Sequence, residues 1–498
     1  MQKMKLANEP VYNAVFEAFD YQKQAVEAIK DLEYGAIFHE QGLGKTKIAI
    51  DVLLHWLNQK MVDVVLIVTK KQLVSNWIGE FKDHTGLKPA ILTSDKKENY
   101  FVFNGRNRLI VTNFEVISSE LKRFRTYLDI LNVGIIIDES AKLKNPDSKL
   151  TQNFFELAPK FKKRIIMTGT PIANRPYDIW SQIYFLDQGE SLGRNFAEFK
   201  AQTNLSNDLS KNEKKVELFE DIVSSIHYKI SKFSVRETKN SGIISLPDKE
   251  YKNIYVSFEK DQFELYENIR KEMQILVEKN NVVTLDDSSA SLKRLLRLVQ
   301  VTSNPRLLDD LYFGPSAKEK ELDKLILSII AKGEKCIVWS SFIENIDYFH
   351  AKYRDIGSVK IHGKMNIDSR VKSVDKFKHN DQIFILFATP QAAKEGLTLT
   401  VANHVIFYDR GFSLDDYLQA QDRIHRISQT KKCYIYNLMI QDSIDIWIDL
   451  LLKAKEHSAK LGQGDIDIDT YREDIDYSFG DIVKGILRGK EDGKFYQD

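Results

Sequence analysis

The segment AIFHEQGLGKTKIAI, residues 36–50, joins a short apolar run to a glycine-rich loop and then to an amphipathic stretch. Gly42 and Gly44 would allow main-chain N–H groups to close around phosphate oxygens, and a helix that begins at such a loop favours anions at its N-terminus. The strict phosphate-loop pattern requires glycine where His39 stands. A glycine turn between strand and helix, with no ligand, is therefore the alternative for this segment taken alone.

A pair of carboxylates favours the phosphate site over the plain turn. Asp138 and Glu139 follow the apolar run at 133–137, and doubly wound sheets bind ligands beyond the carboxyl ends of their strands. Lys45 would then reach the β- and γ-phosphates, and Thr46 and Asp138 would bind Mg²⁺. Glu139 would orient or deprotonate the attacking water. Acidic residues after a strand are also ordinary turn formers. The two carboxylates therefore indicate a phosphate site only in combination with the glycine-rich loop upstream.

Short apolar runs alternate with amphipathic stretches in two parts of the chain, as in parallel sheets covered by helices on both faces. The predicted strands are 36–38, 64–68, 109–112, 133–137, 164–167, 251–258, 336–342, 359–363, 382–389, 404–409 and 433–438. We therefore expect an α/β protein with two tandem, doubly wound parallel-sheet lobes and a helical insertion between them. The expected domains are 1–190 (lobe one), 191–315 (helical insertion), 316–460 (lobe two) and 461–498 (acidic tail).

Lobe two carries the segment QAQDRIHRISQ at 419–429. Arg423 and Arg426 are three residues apart, which places them on one face of a predicted helix. Such a face could present guanidinium groups to a γ-phosphate as arginine fingers. A solvated face with salt bridges is the alternative.

Taken in order, these segments resemble the Swi/Snf-type ATPases of helicase superfamily two, from about residue 18 to residue 455. The segments that carry the resemblance are FDYQKQAV (19–26), HEQGLGKT (39–46), LIVTKKQLVSNWIGEF (66–81), VTNFE (111–115), DESAKLKNP (138–146), MTGTPIAN (167–174), PYDIW (176–180), LLRLVQVTSNPRLL (295–308), EGLTLTVANHVIFYD (395–409) and QAQDRIHRISQ (419–429). The resemblance implies two RecA-like lobes, an ATP-dependent motor and double-stranded DNA as partner, with ATP and Mg²⁺ as cofactors.

The resemblance also assigns residues to roles. ATP would contact Tyr21, Gln22, Gly42, Leu43, Gly44, Lys45, Thr46, Gly396 and Gln419. The catalytic set would be Lys45, Asp138, Glu139, Arg423 and Arg426. The coupling motif would be Thr168, Gly169 and Thr170. The DNA backbone would contact Lys70, Lys71, Asn113, Phe114, Ser340, Ser341, His362, Gly363, Thr398 and Thr400. Small hydroxyls, amides and main-chain groups position phosphates without reading bases, so we expect binding that is independent of sequence.

Several positions depart from the family pattern, among them Phe412, Ser413 and Leu414, which stand where the family has Trp-Asn-Pro. His39 and Gln41 replace Asp and Met beside the phosphate loop, and Ser428 replaces a glycine near the arginines. Ala141 stands where the acidic box has histidine, so a side chain that would connect the ATP site to the coupling motif is missing. We expect hydrolysis to survive these changes.

Composition limits the alternatives. The 498 residues are 43% apolar and 29% charged, which excludes wholesale disorder. A net charge of +1 excludes a chain coated with positive charge, although it allows a local basic track. No apolar run approaches the roughly 18 residues that span a bilayer, and the start has no secretory signal. We expect a cytoplasmic protein of a bacterial cell, of bacterial or phage origin, without a membrane partner.

Two functions of different classes remain open at this point. The first is an ATP-driven translocase on double-stranded DNA, active in replication, recombination and repair, or defence. The second is a catalytically weak DNA-binding or scaffold subunit of a restriction or defence assembly. The first is favoured by five intact residues: Lys45, Asp138, Glu139, Arg423 and Arg426.

Overall fold

The structure is a computed structural model that describes residues 11–470 except for 173–174, 204–212, 242–245, 281–288, 393–396, 427 and 468–469. The chain divides into two compact units. The first unit comprises the described parts of Met1–Ile172, Pro176–Gln202 and Ser225–Ile244. The second comprises the described parts of Ala173–Arg175, Thr203–Ser224 and Ser245–Asp498. We call them lobe one and lobe two.

Each lobe is built on one sheet of parallel strands. The strands are β1 (Tyr34–Ile37), β2 (Val64–Thr69), β3 (Ala90–Ile91), β4 (Leu109–Asn113), β5 (Val133–Asp138), β6 (Lys163–Met167), β7 (Ser234–Val235), β8 (Lys249–Val256), β9 (Cys336–Trp339), β10 (Ser358–Ile361), β11 (Ile385–Ala388), β12 (His404–Phe407) and β13 (Cys433–Ile440). In the described residues, lobe one has the order β3-β4-β2-β5-β6-β1-β7 and lobe two has the order β10-β11-β9-β12-β13-β8. Every recorded strand pair is parallel.

Helices cover the sheets and connect their strands. They are α1 (Asp20–Ile29), α2 (Lys45–Asn58), α3 (Val74–His84), α4 (Lys96–Asn104), α5 (Phe114–Ser119), α6 (Leu121–Ile130), α7 (Lys149–Leu157), α8 (Trp180–Asp187), α9 (Phe196–Thr203), α10 (Glu213–Ile230), α11 (Lys260–Asn280), α12 (Ser289–Ser303), α13 (Ala317–Ile330), α14 (Ile343–Lys352), α15 (Arg354–Gly357), α16 (Ile367–His379), α17 (Leu414–Gln421) and α18 (Ile444–Gln463). The predicted α/β class, with two lobes on parallel sheets, is confirmed.

The cores follow from the pattern of the strands. In lobe one, β2 is buried along its whole length, as a parallel strand between two helical layers must be. In lobe two, neighbouring residues of β9 point to opposite faces, so Ile337 and Trp339 join one apolar cluster while Cys336 and Val338 join the other. None of the helices that the structure describes combines the length and hydropathy needed to cross a bilayer.

The segment between 190 and 315 contains more strand than the sequence suggested. The sequence predicted one strand there, whereas the structure has β7 at the edge of the first sheet and β8 at the edge of the second. β7 pairs over only two residues, Ala36 with Ser234 and Ile37 with Val235, which is too short for a periodic signal. The predicted domain boundaries themselves stay predictions.

Register brings the important strand ends of lobe one to one edge. Met167 at the end of β6 pairs with Ile37 on one side and with Asp138 on the other. Ile137 in β5 pairs with Val68 in β2. The loops that leave β1, β2, β5 and β6 therefore emerge side by side.

Candidate active site

The loop after β1 has the backbone geometry of an anion site. Gly42 and Gly44 have φ values of 88° and 71°, in the left-handed region that glycine adopts readily. Gly44 is the N-cap of α2, which begins at Lys45. The Lys45 Nζ donates to the carbonyl oxygens of His39 at 3.0 Å and Glu40 at 3.2 Å. The ammonium group thus closes the loop on itself, and Thr46 lies in the first turn behind it.

The residues predicted to contact adenine lie against this loop. The Tyr21 hydroxyl donates to the carbonyl oxygen of Leu43 at 3.0 Å. The Gln22 Nε2 donates to the Tyr21 hydroxyl at 3.2 Å and to the same carbonyl at 3.4 Å, while its Oε1 accepts from the main-chain N–H of Phe19. A Cβ atom on Gly44 would lie 2.2 Å from Gln22 Nε2. The φ angle therefore favours the glycine, and a side chain at this position would also displace the end of Gln22.

Asp138 is held from two sides at the end of β5. Its Oδ2 accepts from the Thr69 hydroxyl at 3.1 Å and from the Trp77 indole N–H at 2.9 Å. Burial and the neighbouring charge of Glu139 raise the pKa of Asp138 to about 6, against the donated bonds and the charge of Lys45, which lower it. Trp77 lies in the segment 66–81, which includes the predicted DNA contacts Lys70 and Lys71, yet its side chain is buried and points to the carboxylate.

Glu139 has an unusual backbone and a charged partner. Its φ of 57° lies in the left-handed region, which is uncommon for a residue other than glycine. Its Oε2 lies 3.2 Å from the Nζ of Lys70, the residue that follows β2. The side chains of Lys70 and Glu139 are 22% and 15% exposed, so this pair is partly buried. Both residues were predicted to be functional, but no local pattern indicated that they touch.

The predicted coupling segment packs on the phosphate loop. The main-chain N–H of Thr168 donates to the carbonyl of Ile37, and the N–H of Thr170 donates to the Thr168 hydroxyl at 3.2 Å. A Cβ atom on Gly169 would lie 2.7 Å from Cγ of Gln41 and 3.2 Å from Nζ of Lys45. The three predicted coupling residues are thus in place beside the loop.

A buried glutamine connects the acidic box to the end of that segment. The Ser140 hydroxyl donates to Oε1 of Gln182 at 2.8 Å, and Nε2 of Gln182 donates to the carbonyl of Pro171 at 3.0 Å. Both polar side chains are fully buried. Since Ala141 provides no side chain for this connection, Gln182 supplies one from α8. Sequence reasoning missed Gln182, although a glutamine inside an apolar helix is itself a signal of a buried polar contact.

Two of the predicted DNA contacts in lobe one have structural roles. Asn113 is the N-cap of α5, where its side chain accepts from the N–H groups of Glu115 and Val116. Phe114 is fully buried in the core. Lys71 is exposed, and Lys70 is the partner of Glu139.

In lobe two, a buried aspartate organises the predicted contacts after β9. Asp409 accepts from the hydroxyls of Ser303 and Ser340, from the main-chain N–H of Ser341, and from Nδ2 of Asn345. Ser340 is fully buried, so its hydroxyl serves this network. Ser341 remains exposed.

The other predicted DNA contacts of lobe two lie at loop positions. His362 is buried with Nε2 3.2 Å from Asp347 Oδ1, whereas Gly363 is exposed. Thr398 accepts from Arg426, and Thr400 shares a hydrogen bond with Ser428. The Nε2 of the predicted ATP contact Gln419 donates to Asp415 Oδ1 at 2.6 Å. Gly396 lies outside the described residues.

The two arginines do not share a helical face, so that prediction is wrong. The helix α17 ends at Gln421, because the carbonyls beyond it accept from elsewhere: that of Arg423 from the N–H of Leu399, and that of Ile424 from Gln429. The Arg423 side chain is only 2% exposed, whereas that of Arg426 is half-buried and donates to Thr398 at 2.8 Å.

Family models match both lobes. A model described as an SNF2-related domain matches residues 21–307, more than half of the chain. The chain belongs to the SNF2-related ATPase family of helicase superfamily two. A model of the helicase conserved C-terminal domain matches residues 317–428 of this SNF2-related ATPase.

Three curated relatives illustrate its similarities. The chain is 26% identical over 451 residues to the ISWI chromatin-remodeling complex ATPase ISW1 of Saccharomyces cerevisiae, covering 85% of this chain and 38% of the relative. It is 26% identical to an uncharacterized ATP-dependent helicase of Mycoplasma genitalium (92% and 44%). It is 25% identical to the ATP-dependent DNA helicase DDM1 of Arabidopsis thaliana (86% and 59%). The SNF2-related chain thus spans 38% to 59% of the length of these relatives.

A solved structure also aligns with this SNF2-related ATPase. The Sulfolobus solfataricus SWI2/SNF2 ATPase core in complex with dsDNA is 24% identical, with a TM-score of 0.42, and the alignment covers 94% of this chain and 99% of that chain.

Proposed function

We propose that this ATPase couples ATP hydrolysis to movement along double-stranded DNA without separating the strands. One observation carries the proposal: the phosphate loop, both carboxylates and the coupling segment meet at one edge of the sheet in lobe one. Lys45, Asp138 and Glu139 all lie at that edge. The names of the relatives, which include an ATP-dependent DNA helicase and a chromatin-remodeling ATPase, support the same class of activity.

The residues present fit ATP and Mg²⁺. The loop leaves no room for a Cβ atom at Gly44, and Lys45 donates to neutral carbonyls that a phosphate would outcompete by charge-assisted bonds. Thr46 and Asp138 would hold Mg²⁺, which commonly takes one or two protein carboxylates and completes its shell with phosphate oxygens. The metal would supply neutralisation of phosphate charge.

The chain's own residues then have distinct tasks. Lys45 binds the phosphates, Glu139 orients and deprotonates the attacking water, and Thr168–Thr170 transmit the state of the loop along the edge of the sheet. Of the two predicted catalytic arginines, Arg423 is 2% exposed and Arg426 is half-buried, so Arg426 is the more accessible of the two. Contacts to DNA phosphates from Lys70, Lys71 and the loops of lobe two would be independent of sequence and weakened by salt.

The first experiment measures ATP hydrolysis with duplex DNA, with single-stranded DNA and without DNA. We expect duplex to stimulate the wild type, and Lys45→Ala and Glu139→Gln to lower the stimulated rate by about 100-fold or more. Lys82→Ala, an exposed lysine on α3, is the matched control and should hydrolyse ATP at the wild-type rate. Unchanged hydrolysis in Lys45→Ala contradicts the site, and stimulation by single strands alone contradicts the duplex substrate.

A second experiment separates movement from strand separation. A triplex-forming strand bound on a duplex should be displaced in the presence of ATP while the duplex stays paired. Displacement that fails in the wild type, or that accompanies unwinding, contradicts a translocase of this kind. The alternative, a scaffold subunit with weak catalysis, predicts DNA binding without stimulated hydrolysis.

A further inference from the structure

The ion pair between Lys70 and Glu139 joins two groups with different proposed tasks. Glu139 Oε2 is the candidate base for the attacking water, and Lys70 Nζ, 3.2 Å away, is a candidate contact to a DNA phosphate. The pair is partly buried, with side chains 22% and 15% exposed. A charge pair at such a depth is screened less by solvent than one on the open surface.

The fold fixes this contact from both sides. Val68 near the end of β2 is in register with Ile137 in β5, so residues 69–70 leave the sheet next to residues 138–139. Thr69 donates to Asp138, and the next residue on each segment continues the contact, since Lys70 pairs with Glu139. Glu139 is also held in the left-handed region, with its carbonyl accepting from the N–H of Lys142. The contact is therefore part of the architecture and not a chance encounter of long side chains.

The chemistry of the pair restrains the carboxylate. An ammonium group that donates to Glu139 occupies a lone pair that would otherwise accept a hydrogen bond from water. A carboxylate held in this way is oriented toward Lys70 and is less available to the attacking water. A DNA phosphate offers Lys70 another anionic partner and would draw the ammonium away.

We propose that Lys70 restrains Glu139 in the DNA-free protein and releases it when a DNA phosphate binds. Lys70 is then a positioning residue through which the duplex accelerates hydrolysis. This inference rests on the proposed function, since it needs Glu139 as the base and duplex DNA as the ligand. By linkage, the restraint is reciprocal: loss of the carboxylate charge must raise the affinity of Lys70 for DNA.

The first test measures hydrolysis without DNA in the full chain. Lys70→Gln should raise the DNA-free rate at least about threefold, the size of a partly exposed ion pair, and should reduce the ratio of duplex-stimulated to DNA-free rates. Lys70→Arg retains a cation that can pair with either anion and should restore both values. Lys82→Gln, which removes an exposed charge from α3, should match the wild type. A DNA-free rate in Lys70→Gln that is unchanged or lower overturns the proposal.

The second test does not depend on hydrolysis. Duplex affinity is measured without nucleotide in the wild type, Glu139→Gln, Lys70→Gln and the double variant. Glu139→Gln should bind duplex about threefold or more tightly than the wild type, and this gain should vanish when Lys70 is already Gln. Independent effects in the double-mutant cycle overturn the proposal.

The outcomes distinguish failure of the proposed translocase function from failure of the restraint by Lys70. If duplex does not stimulate the wild type, the proposed function fails and this inference fails with it. If duplex stimulates the wild type but Lys70 and Glu139 show no coupling in either test, the translocase stands and only the restraint by Lys70 is refuted.

Discussion

The side-chain amide nitrogen of Gln22 lies 2.2 Å from the position that a Cβ atom on Gly44 would take. No real Cβ tolerates such a contact, and Gly44 also has a φ of 71°. Helix α1 and the phosphate loop therefore pack closely at this point because Gly44 has no side chain. The amide is itself held, because Gln22 bonds to the Tyr21 hydroxyl and to the carbonyl of Leu43.

Gly44→Ala should weaken nucleotide binding by about tenfold or more, because a left-handed alanine alone costs about 1–2 kcal/mol. Titration with a fluorescent ATP analogue measures the loss. Gly79→Ala on α3, where nothing lies within 4 Å of the new Cβ, is the control. Equal affinity in Gly44→Ala and Gly79→Ala would show that the loop is not the nucleotide site.

Trp77→Phe should increase the Mg²⁺ requirement of hydrolysis at low pH. The indole N–H donates to Asp138, and bonds to the charged form lower a carboxyl pKa. Its loss raises the Asp138 pKa further above about 6, so protons compete better with Mg²⁺ as pH falls. Half-saturating Mg²⁺ should rise severalfold at pH 6 and little at pH 8. Trp180→Phe removes an indole bond to Gly193 elsewhere in lobe one and should leave both values alone.

His39 should make lobe one sensitive to acid. Burial, with the charge of Lys45, lowers the His39 pKa from 6.5 to about 4. In the unfolded chain His39 binds a proton as the pH falls through 6.5, whereas in the folded lobe it stays neutral until about pH 4. The contribution of His39 to folding stability is therefore fully present above pH 6.5 and is lost as the pH falls toward 4. The loss is on the order of 3 kcal/mol by pH 4.

Denaturant unfolding between pH 7 and pH 4 measures this contribution. His39→Asn should lose less stability than the wild type over that range, whereas His227→Asn, at an exposed position of α10 in the same lobe, should follow the wild type. Parallel curves for the wild type and His39→Asn would refute the assignment.

Asp409→Ala should destabilise lobe two by about 3 kcal/mol or more, because it leaves several buried donors without an acceptor. The affected groups include the Ser303 and Ser340 hydroxyls and the N–H of Ser341. Thermal unfolding followed by calorimetry reports the change, with the exposed Asp310→Ala as control. A melting temperature equal to that of Asp310→Ala would show that the network adds nothing.

Sequence patterns were sufficient for the longer strands and for the order of the site segments, whereas the two-residue strands β3 and β7 were missed. The apolar runs at 64–68 and 133–137 became β2 and β5 because buried parallel strands need apolar side chains on both faces. The phosphate loop and the acidic box followed from glycines and carboxylates at strand ends. Each of these features is formed by residues that are close in sequence, so it can be predicted from the sequence pattern.

Contacts between distant segments were not available to that reasoning. β8 was predicted as a strand, but its partner β13 lies far along the chain, and nothing local specifies the pairing of Lys249 with Cys433. The contact of Lys70 with Glu139 depends on β2 lying beside β5. Burial of Ser340 and Phe114 likewise depends on what packs over the strand ends. Both residues were predicted to contact DNA, but the structure buries Phe114 in the core and places the Ser340 hydroxyl in the Asp409 network.

The edge strands bear on how this protein behaves at high concentration. Within the described residues, the first sheet ends in β3 and β7, each two residues long, which offer almost no template for a foreign strand. β8 is eight residues long and is an edge of the second sheet, but it carries Lys249, Glu250 and Lys252. A second copy stacking on it in register would bring like charges together. The charges of these three side chains therefore oppose pairing at the β8 edge, and neutralising them would shorten the time for which a concentrated solution stays clear.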